Sequence, residues 1–342
     1  MYPRVTLDAA AVAANARAWQ EFAGVPLWAV VKGDGYGWGI GRIVAAVDGV
    51  SAGFCVADED ELRELRRHTA APAILLGAVP VERLAAVLHL DATPTIGTRE
   101  ELELVREAAR SRGRRPCFRI GLRAAAAWSG LSLSEIGLLA ADLACADADV
   151  EVWSHVTDWE RRSEQLQRFE DALRSVQAAG ARISSSDVAS TFTLATEGAR
   201  GTSRVRIGIG LFGATGGRRI PGVRCALRVE APLVRAERLA EDTRVGYGSL
   251  TLSAGETIAV VRCGYADGLP RSLTGSKNML SIGMQYLTLH ISGEQTIPPM
   301  LSLIDEHTDL DVLATEAGLL PHEIVIGFGK SACARASARP SR

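Results

Sequence analysis

No CxxC pair occurs in the 342 residues, and the six cysteines (Cys55, Cys117, Cys145, Cys225, Cys263, Cys333) stand singly. The six histidines are equally scattered. The short ligand spacings of a zinc site are therefore missing, and no metal is expected. Unpaired thiols read as packing residues of a reduced, cytoplasmic protein. Long apolar runs are missing too: no window approaches about 18 uncharged apolar residues, so no membrane span is expected. The N-terminus, MYPRVTLDAAAVAANARAW, carries Arg4 and Asp8 and lacks the apolar core of a secretory signal. An excess of positive charge is also absent, since 38 Lys and Arg face 40 Asp and Glu, for a net charge of −2. Phosphate backbones require a positive field, so nucleic acid is not an expected partner. The basic tail SACARASARPSR reads equally well as a frayed terminus.

What the chain does contain is alternation. From Ala9 to Ile220, helical stretches such as DEDELRELRRH, TREELELVREAARSRG and TDWERRSEQLQRFEDALRSVQAAG alternate with short apolar runs. Those runs are LWAVV, GFCVA, AILLG, CFRIG, VEVWSHV and RVRIGIGLFG. So many units in this length predict a closed (β/α)8 TIM barrel over residues 1–222 rather than an open sheet. After PGVRCALRVEAPLVRAERL the helical pattern stops and strand-like runs with glycine turns take over. A C-terminal, mostly β domain is expected over residues 223–342, its strand-like text running from Val223 to Gly329. The opening YPRVTLD is a strand that could pair with either domain.

Within the barrel, WAVVKGDGYGWGI runs from an apolar strand into four glycines within seven residues, with Lys32 at the strand end. Lys32 reads two ways, as a solvated strand-end residue or as an amine held for imine chemistry or for an anion. It is followed by Gly33, not by the Ser or Thr of a nucleotide-phosphate loop. The C-terminal ends of barrel strands carry function. Lys32, His155 and the glycines after Arg206 all fall at such ends, on one rim.

VVKGDGYGWG, RVRIGIGLFG and CGYADGLPR, in this order and at this separation, resemble the three characteristic segments of the alanine racemases. That family has a pyridoxal-phosphate barrel and a C-terminal β domain. The resemblance implies that Lys32 anchors pyridoxal 5'-phosphate covalently and acts as one of two acid/base groups, and that Tyr36 bonds its phosphate. It implies that Arg206 contacts the pyridine nitrogen and keeps it unprotonated, with Gly208 and Ile209 presenting N–H groups to the phosphate. Tyr265 becomes the second acid/base, reaching the opposite face of the substrate from a partner subunit, with His155 behind it. Inversion requires two such bases. A homodimer with shared sites is implied as well.

The departures cluster near the substrate. In FRIGLRAAA, Arg119 stands where many members carry a lysine, and Ala126 where an arginine approaches the substrate carboxylate; Arg123 is the nearby candidate for that contact. Trp38 replaces a histidine of the lysine loop. In SSSDVAST, Ser186 is the candidate for the phosphate-binding serine. Met284 survives in GMQYLTLH as a substrate contact without its neighbouring aspartate, and Ala336 falls at the position of a phosphate-contacting tyrosine. The expectation is a pyridoxal-phosphate-dependent racemase for a small amino acid or derivative other than alanine. Two alternatives stay open: another reaction at Cα, such as decarboxylation, aldol cleavage or transfer, and a non-catalytic cofactor-binding relative.

Overall fold

A computed structural model of the chain describes residues 2–123, 130–145, 147–246, 250–276, 278–293 and 296–337. The Ala126 position discussed above lies outside these residues, as does the end of the basic tail. The chain opens on β1 (Arg4–Leu7) and then alternates strand and helix through β2 (Leu27–Val30), β3 (Gly53–Val56), β4 (Ala73–Ala78), β5 (Ala92–Thr95), β6 (Cys117–Gly121), β7 (Asp149–Trp153), β8 (Ile183–Asp187) and β9 (Val205–Ile207). Strands β2 to β9 form one parallel sheet in the order β8-β7-β6-β5-β4-β3-β2-β9. Past its two ends, Arg206 donates its backbone N–H to Ala189 O at 2.9 Å, and Ser190 bridges Arg206. The sheet therefore curls into a near-closed barrel, as the alternation predicts.

Local sequence explains the elements. Strand GFCV is buried at every position because parallel strands are covered on both faces. The helix Arg99–Ser111 starts on a capping box in which Thr98 and Glu101 each accept from the other's backbone. The helix Arg162–Ala178 turns Leu166, Phe169, Ala172 and Val176 inward, one stripe of a 3.6-residue period. Two barrel strands are not apolar runs at all: β5 reads ATPT and β8 reads ISSSD.

The second unit is built on β10 (Leu227–Arg238), with β11 (Thr243–Val245), β12 (Leu250–Leu252), β13 (Thr257–Val261), β14 (Met279–Ile282), β15 (Leu287–Ile291) and β16 (Met300–Ile304). Strand β10 pairs antiparallel with β13 and β16, and also with β1 in register Arg4↔Glu230 to Leu7↔Leu227. The N-terminal strand thus joins the C-terminal sheet. Two helices follow, Leu310–Ala317 and Pro321–Ser337, where the sequence pattern suggested strands. The first is set by Asp309, whose carboxylate accepts from the N–H groups of Asp311 and Val312, and by Gly318 at φ 63°. No helix among the described residues is long and apolar enough to cross a membrane.

The helix Pro321–Ser337 is wedged between the two units. On one side a Cβ at Gly37 would press on Ile326 O and Lys330 N, and Trp38 Nε1 donates to Val325 O at 3.1 Å. On the other side Gly268 lies against the backbone of Gly327 and Phe328. Residues 326, 329 and 330 occupy one face of a 100° wheel and 327 and 328 another, so the helix separates the turn at Gly37 from the turn at Gly268. Trp38 is fully enclosed at this junction. Trp38→Ala is expected to cost about 3–5 kcal/mol in urea unfolding; a loss below about 1 kcal/mol would mean that the helix is anchored elsewhere.

Candidate active site at the barrel mouth

Beyond β2 the backbone turns left-handed: φ is 66°, 52°, 61°, 58° and 81° from Gly33 to Gly37. Glycine enters this region freely, whereas Asp34 and Tyr36 occupy it at about 1–2 kcal/mol each. The surroundings hold them there. Glu61 accepts from Gly33 N at 2.5 Å and from Ala57 N at 2.8 Å, while Asp34 Oδ1 accepts from Ile40 N at 3.0 Å. The turn leaves Lys32 exposed at its head and folds Tyr36 inward, its ring 5.2 Å from that of Phe212. Burial raises the Tyr36 hydroxyl well above the usual phenol range, so it serves as a neutral donor.

Strand β9 runs beside β2 with Trp28 opposite Arg206, so the two strand ends emerge together. A Cβ on Gly208 would clash with the Tyr36 hydroxyl, which occupies that space. Ile209–Phe212 form a 3-10 turn whose first N–H groups have no partner within the turn. Thr191 opens the neighbouring helix Thr191–Glu197, and its Oγ1 accepts from Gly210 N at 3.3 Å. A tyrosine hydroxyl, a threonine hydroxyl and these backbone donors converge on one spot, beside an exposed lysine. That donor set fits a phosphorylated aldehyde cofactor, an anion at one end and an amine-reactive carbon at the other.

Beneath the mouth lies a buried charge network. Asp187 carboxylate oxygens stand 2.6 Å from Arg119 Nη2, 3.0 Å from Arg204 Nη2 and 2.5 Å from Arg206 Nε. Glu151 adds ion pairs to Arg119 and Arg204. Burial would raise the Asp187 carboxyl, but Arg119, Arg206 and Arg204 outweigh it and hold it at about 2. Three guanidiniums against two carboxylates leave one positive charge in excess. Arg206 also donates from Nη2 to Ser154 O at 2.5 Å, which ties β9 to the end of β7. His155 follows directly. Burial, then Arg206, Lys32 and His322, push its imidazole down to about 3, and Asp187 only partly offsets them. At neutral pH His155 is uncharged.

Lys32, Tyr36, His155, Arg206, Gly208 and Ile209 are thus brought together. The remaining expected residues sit elsewhere. Tyr265 lies in the turn Tyr265–Asp267, exposed, beside Met284, whose O accepts from Ala266 N at 3.0 Å. This pair belongs to the far side of the Pro321–Ser337 helix. Ser186 is not part of the group: side chains alternate along β8, Asp187 takes the lumen, and Ser186 donates its N–H to Ser203 Oγ at 2.8 Å. Arg119 is locked in the buried network, and Arg123 pairs with Glu135 at 3.1 Å. Ala336 is in the last turn of its helix, 14 residues and about 21 Å from the end that meets Tyr36.

The sequence reading missed four participants. Thr191 follows a serine at a helix start, a recognisable capping position. His322 follows Pro321, itself a helix-start signal, and its ring centre is 6.0 Å from that of Tyr36. Asp187 and Glu61 left no local signal, because their partners are distant in sequence. No group of three or more His, Cys, Asp or Glu able to hold a metal occurs among the described residues.

Comparison with known proteins covers both units. The family model for the alanine racemase N-terminal domain matches residues 7–216, and that for the alanine racemase C-terminal domain matches residues 226–335. The alanine racemase of Prochlorococcus marinus is 31% identical over 338 residues, covering 88% of this chain and 87% of its own. That of Cereibacter sphaeroides is 29% identical over 360 residues, covering 95% of each. Alanine racemase from Bartonella henselae, solved with covalently bound pyridoxal phosphate, has a TM-score of 0.81 at 21% identity over 97% of this chain and 98% of its own. The biosynthetic enzyme from Pseudomonas aeruginosa gives 0.80 at 24% identity, covering 96% and 97%. Similarity of this extent, across barrel and β domain alike, establishes that the chain belongs to the alanine racemase family.

Proposed function

We propose that the chain is a pyridoxal-phosphate-dependent amino-acid racemase that exchanges the Cα proton between two bases, on a substrate other than alanine. The observation that carries the reading is the placement of Lys32 and Arg206 at the ends of neighbouring strands, beside the Tyr36, Thr191 and Gly208 donor cluster. Pyridoxal phosphate, when bound, supplies the electron withdrawal that makes a Cα proton removable.

The residues divide the work. Tyr36 and Thr191, with the N–H groups of Gly208 and Ile209, would hold the cofactor phosphate, and Lys32 would provide the covalent anchor. Arg206, held by Asp187, would meet the pyridine nitrogen of the bound cofactor as a fixed cation and keep it unprotonated. With the cofactor bound, the Lys32 amine would take or return a proton at one face of the substrate Cα. Tyr265 does the same at the other face, arriving from a second copy of the chain. Its exposure, with Tyr2, Val234, Met284 and Tyr286 also exposed, supports a surface that meets a partner. His155 stays neutral and steadies the tyrosine. For the substrate carboxylate, Arg123 is the candidate contact, exchanging Glu135 for the ligand, and Met284 borders the side chain. The absence of an arginine at Ala126 is what supports a substrate other than alanine.

The first test follows α-proton exchange by NMR in deuterated water across an amino-acid panel. Exchange with loss of optical activity is expected; exchange with retained configuration, or bond cleavage, would overturn the two-base reading. Lys32→Ala is expected to abolish covalent cofactor attachment, and Tyr265→Phe to slow racemisation by about 10²–10⁴-fold with the cofactor still bound. Mixing these two inactive variants should restore about a quarter of wild-type activity, since half of randomly paired dimers are mixed and each carries one intact shared site. No recovery after verified subunit exchange argues against sites shared between copies.

The depressed pKa of His155 predicts an acid-side signature. The unfolded histidine protonates near pH 6.5 and the folded one near 3, so its stability contribution is complete above about 6.5 and is lost as pH falls toward 3. His155→Gln should flatten the stability profile between about pH 6 and 4, leaving the loss below 4 that protonation of Asp187 causes. An unchanged slope in urea titrations would show that the imidazole is already protonated in the fold.

A further inference from the structure

Trp153 ends β7 on the same face of the strand as Glu151, and stands outside both the phosphate cluster and the proton-transfer pair. Gly121, its partner at the end of β6, makes room for it: a Cβ there would stand 2.9 Å from the indole ring and 3.0 Å from Nε1. Trp153 is only 7% exposed, and its Nε1 has no hydrogen-bond partner among the described residues. An indole N–H can only donate, so one buried without an acceptor marks a place where the acceptor arrives with a ligand. The neighbouring carbonyls are engaged: Gly121 O accepts from Leu131 N at 2.7 Å, and Leu122 O accepts from Ser154 Oγ at 2.9 Å.

Two guanidiniums flank the ring. Arg119 Cζ lies 5.2 Å from its centroid and Arg206 Cζ lies 5.4 Å from it. Both arginines are buried, and Arg119 Nη1 also lacks a hydrogen-bond partner among the described residues. A field of that sign selects an anionic acceptor over a neutral one. Tyr36, Thr191 and the Gly208 turn already provide for the cofactor phosphate. The other anionic group that a site for an α-amino acid must hold is the substrate carboxylate.

We propose that Trp153 is a substrate ligand, its indole N–H donating to one oxygen of the α-carboxylate, a contact for which Ala126 offers no side-chain donor. This rests on the racemase reading above and deepens it. Arg123 has to leave Glu135 to reach a carboxylate, whereas Trp153 is already in place. The flanking guanidiniums hold the ring plane, and Gly121 fixes how far the ring reaches over β6. A ring that only filled space in the barrel would treat ligands with and without a carboxylate alike.

The test compares two ligands that differ only in that group, N-(5'-phosphopyridoxyl)-alanine and N-(5'-phosphopyridoxyl)-ethylamine, stable reduced adducts that need no turnover. Alanine, with its small side chain, confines the comparison to the carboxylate. Apo protein is titrated with each adduct by calorimetry, for wild type, Trp153→Phe and Trp153→benzothienylalanine, in which sulfur replaces the N–H in a ring of nearly the same shape. Wild type should bind the alanine adduct about tenfold to a hundredfold more tightly, and both variants should lose most of that preference while keeping their affinity for the ethylamine adduct. A preference unchanged in the variants, an equal loss for both adducts, or no preference in wild type overturns the proposal. Circular dichroism and thermal melting identify a phenylalanine variant that fails to fold, and the benzothienyl variant then decides alone. Wild type that binds neither adduct removes the cofactor reading itself, whereas tight binding of both with an unchanged preference in the variants removes only the role of Trp153.

Discussion

One buried carboxylate organises the barrel mouth. Asp187 accepts three guanidiniums in the interior, and a charge there survives only when its partners are in place. Removing a partner from such a cluster costs about 3–5 kcal/mol, because the remaining charges are stranded away from water. The network joins β6, β7, β8 and β9 through Arg119, Glu151, Asp187, Arg204 and Arg206. It also fixes the orientation of Arg206, which lies between Asp187 and Ser154 O. The excess positive charge of the cluster suits an anion-binding mouth, and burial first, then Arg206, keep His155 neutral.

Above this rigid floor the lysine turn is the strained element. Five consecutive left-handed residues are tolerable because three are glycines and because Glu61, Asp34 and the Pro321–Ser337 helix clamp the turn from three sides. The result is a lysine that projects from a strand end and a tyrosine that folds back under it. A regular helix would have carried both on one continuous right-handed face. The same clamp ties the site to the C-terminal unit, since the helix that closes over Gly37 and Trp38 also brings His322 to Tyr36.

Much of this was legible in the sequence for physical reasons. Apolar runs such as LWAVV and GFCVA signal strands covered on both faces, and Thr98 with Glu101 signals a helix start. Four alternate glycines after Lys32 signal backbone that ordinary residues avoid. Other elements gave no such signal. Strand ISSSD is polar because its lumen position carries Asp187, paired to arginines 17, 19 and 68 residues away. Strand ATPT contains a proline. The helices after residue 304 are short or interrupted by glycine, so their period was easily taken for strand text.

Sequence alone determined the alternation, the glycine turn, the lysine at its strand end and the family, because these depend on neighbours in the chain or on motifs of fixed spacing. Tertiary structure decided which polar residues meet. Thr191 rather than Ser186 stands at the Gly210 turn because alternation along β8 turns Ser186 away from the lumen. His322 rather than Ala336 meets Tyr36 because the near end of the last helix, not its far end, is wedged against the lysine turn. The arginines of the barrel floor likewise share one carboxylate only because closing the sheet brings β6 and β9 onto the same side chain. Proximity of this kind is set by packing across hundreds of residues, and no local pattern encodes it.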